Sequence, residues 1–256
     1  MKSFNSFLKK EILEIIRNGK FVLLAVLFLG FGIMNPAIAK LTPWLMDAFS
    51  ETFAESGMIV TGVTVDALTS WTQFFKNIPM ALIVFVLVLG NIFTKEYSSG
   101  SLVIILTKGL ARYKVLLSKW LVSVLLWTAG YWLCFGVTYA YNSYFWDNSI
   151  ATGLIPSVVN WFLFGIFAVC LMILCSVIFS NSLAVYLGVG GVILIMYIVG
   201  FIPNVGRFMP TSLMNSGKLL VGIESASDYF GSIAVSIILS VAFIIVSIPI
   251  FNKKNI

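Results

Sequence analysis

Histidine is absent from this sequence, and charge is scarce: Asp, Glu, Lys and Arg together make up 10% of its 256 residues. Without histidine the chain lacks the usual neutral-pH acid–base group, and most zinc and haem sites are excluded. The three cysteines, Cys134, Cys170 and Cys175, lie inside apolar runs without metal-type spacing and read as small packing residues. There is no Gly-x-x-x-x-Gly-Lys-Ser/Thr. Asn18-Gly19-Lys20 and Ser216-Gly217-Lys218 end in a similar way but lack the first Gly and the following Ser or Thr. The chain therefore does not cradle ATP phosphates in the P-loop manner. His-Glu-x-x-His, Gly-x-Ser-x-Gly and paired catalytic acids are also missing. These absences point away from an enzyme and from a metal or cofactor held by this chain.

What is present is hydrocarbon. The sequence is 60% hydrophobic with a mean hydropathy of +1.03, too apolar for a soluble core with a wettable surface. It reads as an all-α polytopic membrane protein forming one transmembrane domain. Six segments are long enough to cross about 30 Å of hydrocarbon: residues 21–39, 78–94, 117–141, 158–179, 183–202 and 231–251. None contains an acidic residue, which counts against an autonomous ion-coupled carrier.

The net charge of +6 is read by location and not as a nucleic-acid signal. Lys2, Lys9, Lys10, Arg17 and Lys20 precede the first span; Lys95, Lys108, Arg112, Lys114 and Lys119 lie between the second and third; Lys253 and Lys254 follow the sixth. If these regions face the cytoplasm, only Lys40, Lys76, Arg207 and Lys218 are outside, together with Asp47, Glu51, Glu55, Asp66, Asp147, Glu224 and Asp228. The positive-inside rule then places both termini in the cytoplasm of a cell-membrane protein.

Local patterns add detail. Phe4, Phe7, Leu8, Ile12, Ile15 and Ile16 form one stripe on a helix over residues 1–20, with most of its cations off the stripe. This predicts an amphipathic helix in the inner headgroup layer, with membrane lipid as a partner. Ala37-Ile38-Ala39 resembles a signal-peptidase site, but the apolar stretch before it is longer than a signal h-region, and retention is expected. Asn35-Pro36 is expected to bend the first span. Thr42-Pro43 is expected to start a separate outer helix whose polar face carries Asp47, Glu51 and Glu55. Gly188, Gly190 and Gly191 favour close helix packing in the fifth span, with a hinge as the alternative. Residues 203–230 either dip into the outer leaflet or form a surface loop with a short helix.

Residues 95–116 form the one concentrated polar and basic interruption. A short helix is expected there, with Leu102, Ile105 and Leu106 as an apolar face able to enter a groove on a soluble partner. The segment resembles the cytoplasmic loop of the ABC-2 type permeases, the membrane subunits of ATP-binding-cassette exporters. Glu96, Gly100, Ser101, Leu102, Arg112 and Lys119 match that pattern, while Gly109 and Ala111 stand where Pro and Ser are common. The resemblance covers the whole layout of the chain. It implies a coupling helix driven by a separate ATPase subunit that binds ATP and Mg, with Glu96 and Arg112 framing it and pairing with the ATPase or each other. It also implies work as a dimer with a second copy or a related permease.

Aromatic and weakly polar groups within the spans, Trp127, Tyr131, Asn160 and Tyr186, are candidates for a substrate path. Small permeases of this shape resemble exporters of antimicrobial or toxic peptides, so an amphipathic peptide is the favoured substrate. The competing expectation is a channel or ion-coupled carrier acting alone.

Overall fold

The computed structural model describes residues 2–49, 65–107 and 109–254, and among them there is no strand. Nine α-helices carry the fold: α1 (Lys2–Arg17), α2 (Lys20–Ala48), α3 (Ala67–Leu89), α4 (Thr94–Ser99), α5 (Ser101–Thr107), α6 (Arg112–Phe145), α7 (Leu154–Ile178), α8 (Ser182–Val199) and α9 (Phe230–Lys253). Six of them, α2, α3, α6, α7, α8 and α9, are long and apolar enough to cross a membrane. The chain is an all-α polytopic membrane protein, as its composition predicts. α1, α4, α5 and the end of α9 gather at one end of the bundle, here called the loop end.

α2 is longer than expected. It runs unbroken to Ala48, through Pro36 and Pro43, so no separate helix starts at Thr42. Thr42 instead bonds back to the Ile38 carbonyl at 2.8 Å. Glu51 and Glu55 lie outside the described residues. Pro36 has no N–H, which leaves the carbonyl of Gly32 without its intrahelical donor. Thr138 of α6 supplies one: its Oγ1 donates to Gly32 O at 3.0 Å. The absent Cβ of Gly32 permits this approach, because a Cβ there would sit 2.9 Å from that of Val137. Asn35 completes the seam, donating to Thr138 Oγ1 at 3.0 Å and accepting from Asn77 of α3 at 2.9 Å. A proline-weakened helix is thus secured by polar groups from two neighbours, as apolar surroundings require.

The core is aromatic. Trp127 meets Phe28 and Phe85 edge to face, with centroids 5.9 and 5.4 Å apart, the arrangement favoured by ring quadrupoles. Gly165 makes room for the indole, since a Cβ there would lie 2.0 Å from Trp127 Cζ2. α7 is the most buried span and α8 the least. At the end opposite the loops, residues 210–221 form a long 3₁₀ element seated on α7. Ser157 and Ser216 exchange side-chain-to-backbone bonds at 2.7 and 3.0 Å, and Trp161 Nε1 donates to Met214 O at 3.0 Å. The segment from 203 to 230 is therefore a folded cap built of 3₁₀ turns.

Candidate functional site: an ionic knot at the loop end

α1 buries Phe7, Glu11 and Ile15, one residue per turn, against the bundle, while Ile12, Leu13 and Ile16 remain exposed. The inward stripe thus carries an acid. Glu11 is 2% exposed, Glu96 5% and Lys119 1%. The Lys119 ammonium lies 2.8 Å from Glu11 Oε2 and 3.0 Å from Glu96 Oε1. Lys10 reaches the same carboxylates at 3.0 and 3.4 Å, and Glu14 at 2.5 Å. Phe93 closes the floor, its ring centroid 5.5 Å from Lys119 Nζ. One knot therefore joins α1, α4 and the base of α6.

Burial works against the charge on Lys10, but its bond to Glu14 and the charges of Glu11 and Glu96 outweigh this and raise its pKa. Burial likewise pushes Glu14 upward, and the Lys10 bond and charge more than reverse it, so Glu14 sits below its ordinary value. Glu11, Glu14 and Glu96 converge closely enough to suggest a metal site. The ammonium groups of Lys10 and Lys119 already occupy the space among these oxygens, and the donor set fits lysine better than a metal ion. Glu96 Oε2 is buried without a hydrogen-bond partner.

A second clasp lies beside the knot. Arg112 Nη1 donates to the carbonyls of Phe251, Asn252 and Lys254 at 3.0, 3.2 and 2.6 Å. It thereby caps α9, whose last carbonyls lack helical donors. Lys254 does the same for α7, donating to Val177 O and Ile178 O at 2.7 and 3.2 Å. Its ammonium also lies 4.2 Å from the Tyr97 ring centroid. Burial, followed by the neighbouring charge of Glu96, raises the pKa of the Tyr97 phenol. Thr94 and Ser182 hydroxyls bond at 2.6 Å, and Lys20 donates to Asn91 at 2.7 Å, fastening the loop to α8 and α2.

Glu96 and Arg112, expected to frame the loop and meet a partner or each other, point inward to separate clasps; no ion pair joins them among the described residues. Leu102 is fully buried. Ser101 lies beside Ser99, their hydroxyls 2.9 Å apart. Gly100 turns the chain between α4 and α5 with φ 65°, and Gly109 has φ 82°. Proline cannot adopt a positive φ, which accounts for glycine at 109.

The proposed substrate-path residues do not share a cavity. Trp127 and Tyr131 are fully buried core rings, with Tyr131 Oη donating to Val158 O at 2.7 Å, and Asn160 is also buried. Only Tyr186 borders open space, an apolar groove of about 280 Å³ between α3, α7 and α8. Its hydroxyl donates to Leu87 O at 2.9 Å.

Sequence reasoning counted Lys10 only as an inner-side cation and passed over Glu11 and Glu14. A usable signal existed: Glu11 sits between Phe7 and Ile15 at four-residue steps, an acid on an otherwise inward face.

No family model matches the sequence. The chain is 23% identical over 263 residues to the uncharacterized transmembrane protein YxlG of Bacillus subtilis (strain 168), over 99% of this chain and 98% of that protein. The likeness runs end to end and accords with the six apolar helices in describing a multi-pass membrane protein.

Proposed function

We propose that this chain is the permease subunit of an ABC-type exporter, powered by a separate ATPase at the loop end, which faces the cytoplasm of the cell membrane. The observation that carries this reading is the ionic knot. Any push on α4 is transmitted through Glu96 to Lys119 at the base of α6 and to α1, because separating one partner of a buried pair costs about 3–5 kcal/mol. The exposed surface left for the ATPase includes Lys95, Ser98, Ser99, Val103, Thr107, Gly109 and Tyr113. Glu96, Gly100, Leu102 and Arg112 shape that surface from beneath. The chain works as a dimer, with a second copy or a related permease completing the pathway. An amphipathic substrate, a peptide in the favoured case, fits the apolar lining of the groove beside Tyr186.

The test is capture of the tagged chain from its native membrane, with ATP hydrolysis measured on the captured complex. Wild type is expected to bring down an ATPase, and Val103→Asp to lose it. No associated ATPase, or solute flux through ATP-free liposomes holding this chain alone, overturns the proposal in favour of an autonomous carrier.

A further inference from the structure

At the end of the bundle opposite the loops, a cavity of about 350 Å³ opens between the end of α8, the 206–215 turns and the segment before α9. Four charged side chains line it: Arg207, Lys218, Glu224 and Asp228. Two neutralise each other, since Lys218 Nζ lies 2.8 Å from Glu224 Oε1, and the Tyr229 hydroxyl takes the other Glu224 oxygen. Arg207 and Asp228 remain. They face the same cavity, yet no ion pair forms between them among the described residues. The Arg207 guanidinium rests 5.0 Å from the Phe208 ring centroid. Asp228 uses one oxygen, Oδ2, to accept from the Ser225 amide and hydroxyl at 2.9 and 3.0 Å. Among the described residues no hydrogen bond reaches its second oxygen, Asp228 lines the cavity, and the Ser225 bonds keep the carboxyl below its ordinary pKa and therefore ionised.

Two opposite charges that share a cavity without meeting complement a ligand carrying both signs. We propose that this cavity binds the headgroup of a zwitterionic phospholipid bearing a primary ammonium, with its phosphate on Arg207 and its ammonium on Asp228. Guanidinium matches phosphate geometry with paired N–H donors. A carboxylate accepts N–H bonds from a primary ammonium, which a trimethylated one does not offer. A lipid source is favoured by the surroundings. Phe201, Ile202, Phe208 and Phe230 are 72, 52, 43 and 65% exposed near the cavity. Acyl chains would cover these groups, whereas a soluble phosphoamine would leave them bare. In the orientation proposed above, the lipid belongs to the outer leaflet; the headgroup chemistry does not depend on the exporter reading.

The experiment is native mass spectrometry of the purified chain in detergent with equimolar phosphatidylethanolamine, phosphatidylcholine and phosphatidylglycerol. Wild type is expected to retain phosphatidylethanolamine above both others. Arg207→Gln should lower that retention about tenfold, the low end for a lost charged hydrogen bond, with Arg207→Lys partly restoring it. Asp228→Asn should bring phosphatidylethanolamine down to the level of phosphatidylcholine. Lys40→Gln, at a cation stacked elsewhere on Phe145, should change nothing. Equal retention of the three lipids, or an Arg207→Gln protein with unchanged retention, overturns the site. Preference for phosphatidylglycerol with a silent Asp228→Asn overturns the zwitterion. Displacement by equimolar glycerophosphoethanolamine overturns the lipid source.

Discussion

Replacing Lys119 by Met should be among the most damaging single changes at the loop end, and the damage should be reversible by further substitution. The side chain is 2% exposed and lies between Glu11 and Glu96 carboxylates that are 3% and 7% exposed. Among the described residues, its removal leaves two buried carboxylates with only Lys10, itself 42% exposed, paired to them. A broken buried pair typically costs about 3–5 kcal/mol. Lys10 is close enough to compensate in part, so the lower figure of about 3 kcal/mol is expected. Neutralising all three groups, as Glu11→Gln, Glu96→Gln and Lys119→Met together, removes the desolvation problem and should recover most of the loss. Unfolding of the purified chain in mixed micelles, read by far-UV circular dichroism, compares wild type with the single and triple variants. A Lys119→Met protein within about 1 kcal/mol of wild type, or a triple variant no better than the single, would refute the buried-pair argument.

Gly165→Ala should place a methyl group inside the Trp127 ring, given the 2.0 Å separation, and cost about 1–3 kcal/mol of strain in the same unfolding assay. Arg112→Lys gives up the three-carbonyl cap on α9, so limited proteolysis should cut the C-terminal residues faster than in wild type. The Lys10–Glu14 pair has a pH signature. Glu14, held below its ordinary value of 4.5, contributes above that value and loses its contribution as acid protonates the folded carboxylate. Lys10, raised above 10.5, contributes below that value and loses its contribution as alkali deprotonates the folded amine. Protection of the α1 amides, taken as the intrinsic exchange rate at each pH divided by the observed rate, should therefore be greatest between the two limits and fall at either extreme.

Much of the architecture is legible in the sequence, since uninterrupted hydropathy is a local property. The six spans fall where the apolar runs do, although the helices extend past them, as α6 does to Arg112 and Phe145. Composition could not show that α2 continues through Pro36 and Pro43, because the group that satisfies Gly32 O comes from Thr138, far along the chain. The same limit applies to the site. Glu96 reads as a surface acid in a polar loop, and its burial depends on Glu11 and Lys119, which only the fold brings beside it. Trp127 and Tyr131 carry polar tips that suggest a binding path, and only the packing shows those tips bonded to the carbonyls of Phe162 and Val158 at 3.3 and 2.7 Å.

The two clasps also bear on the order of assembly during synthesis. Glu11 waits for Lys119, 108 positions downstream, and Arg112 waits for Lys254, 142 positions downstream. Until α6 has been inserted, α1 carries an acid on its inward face with no cation from the bundle to receive it, so it stays in water or at the headgroups. Until the final span has been released, Arg112 has no carbonyls of α9 to cap. The end of the molecule that is translated first is therefore among the last to close, and a truncated chain would leave that end open.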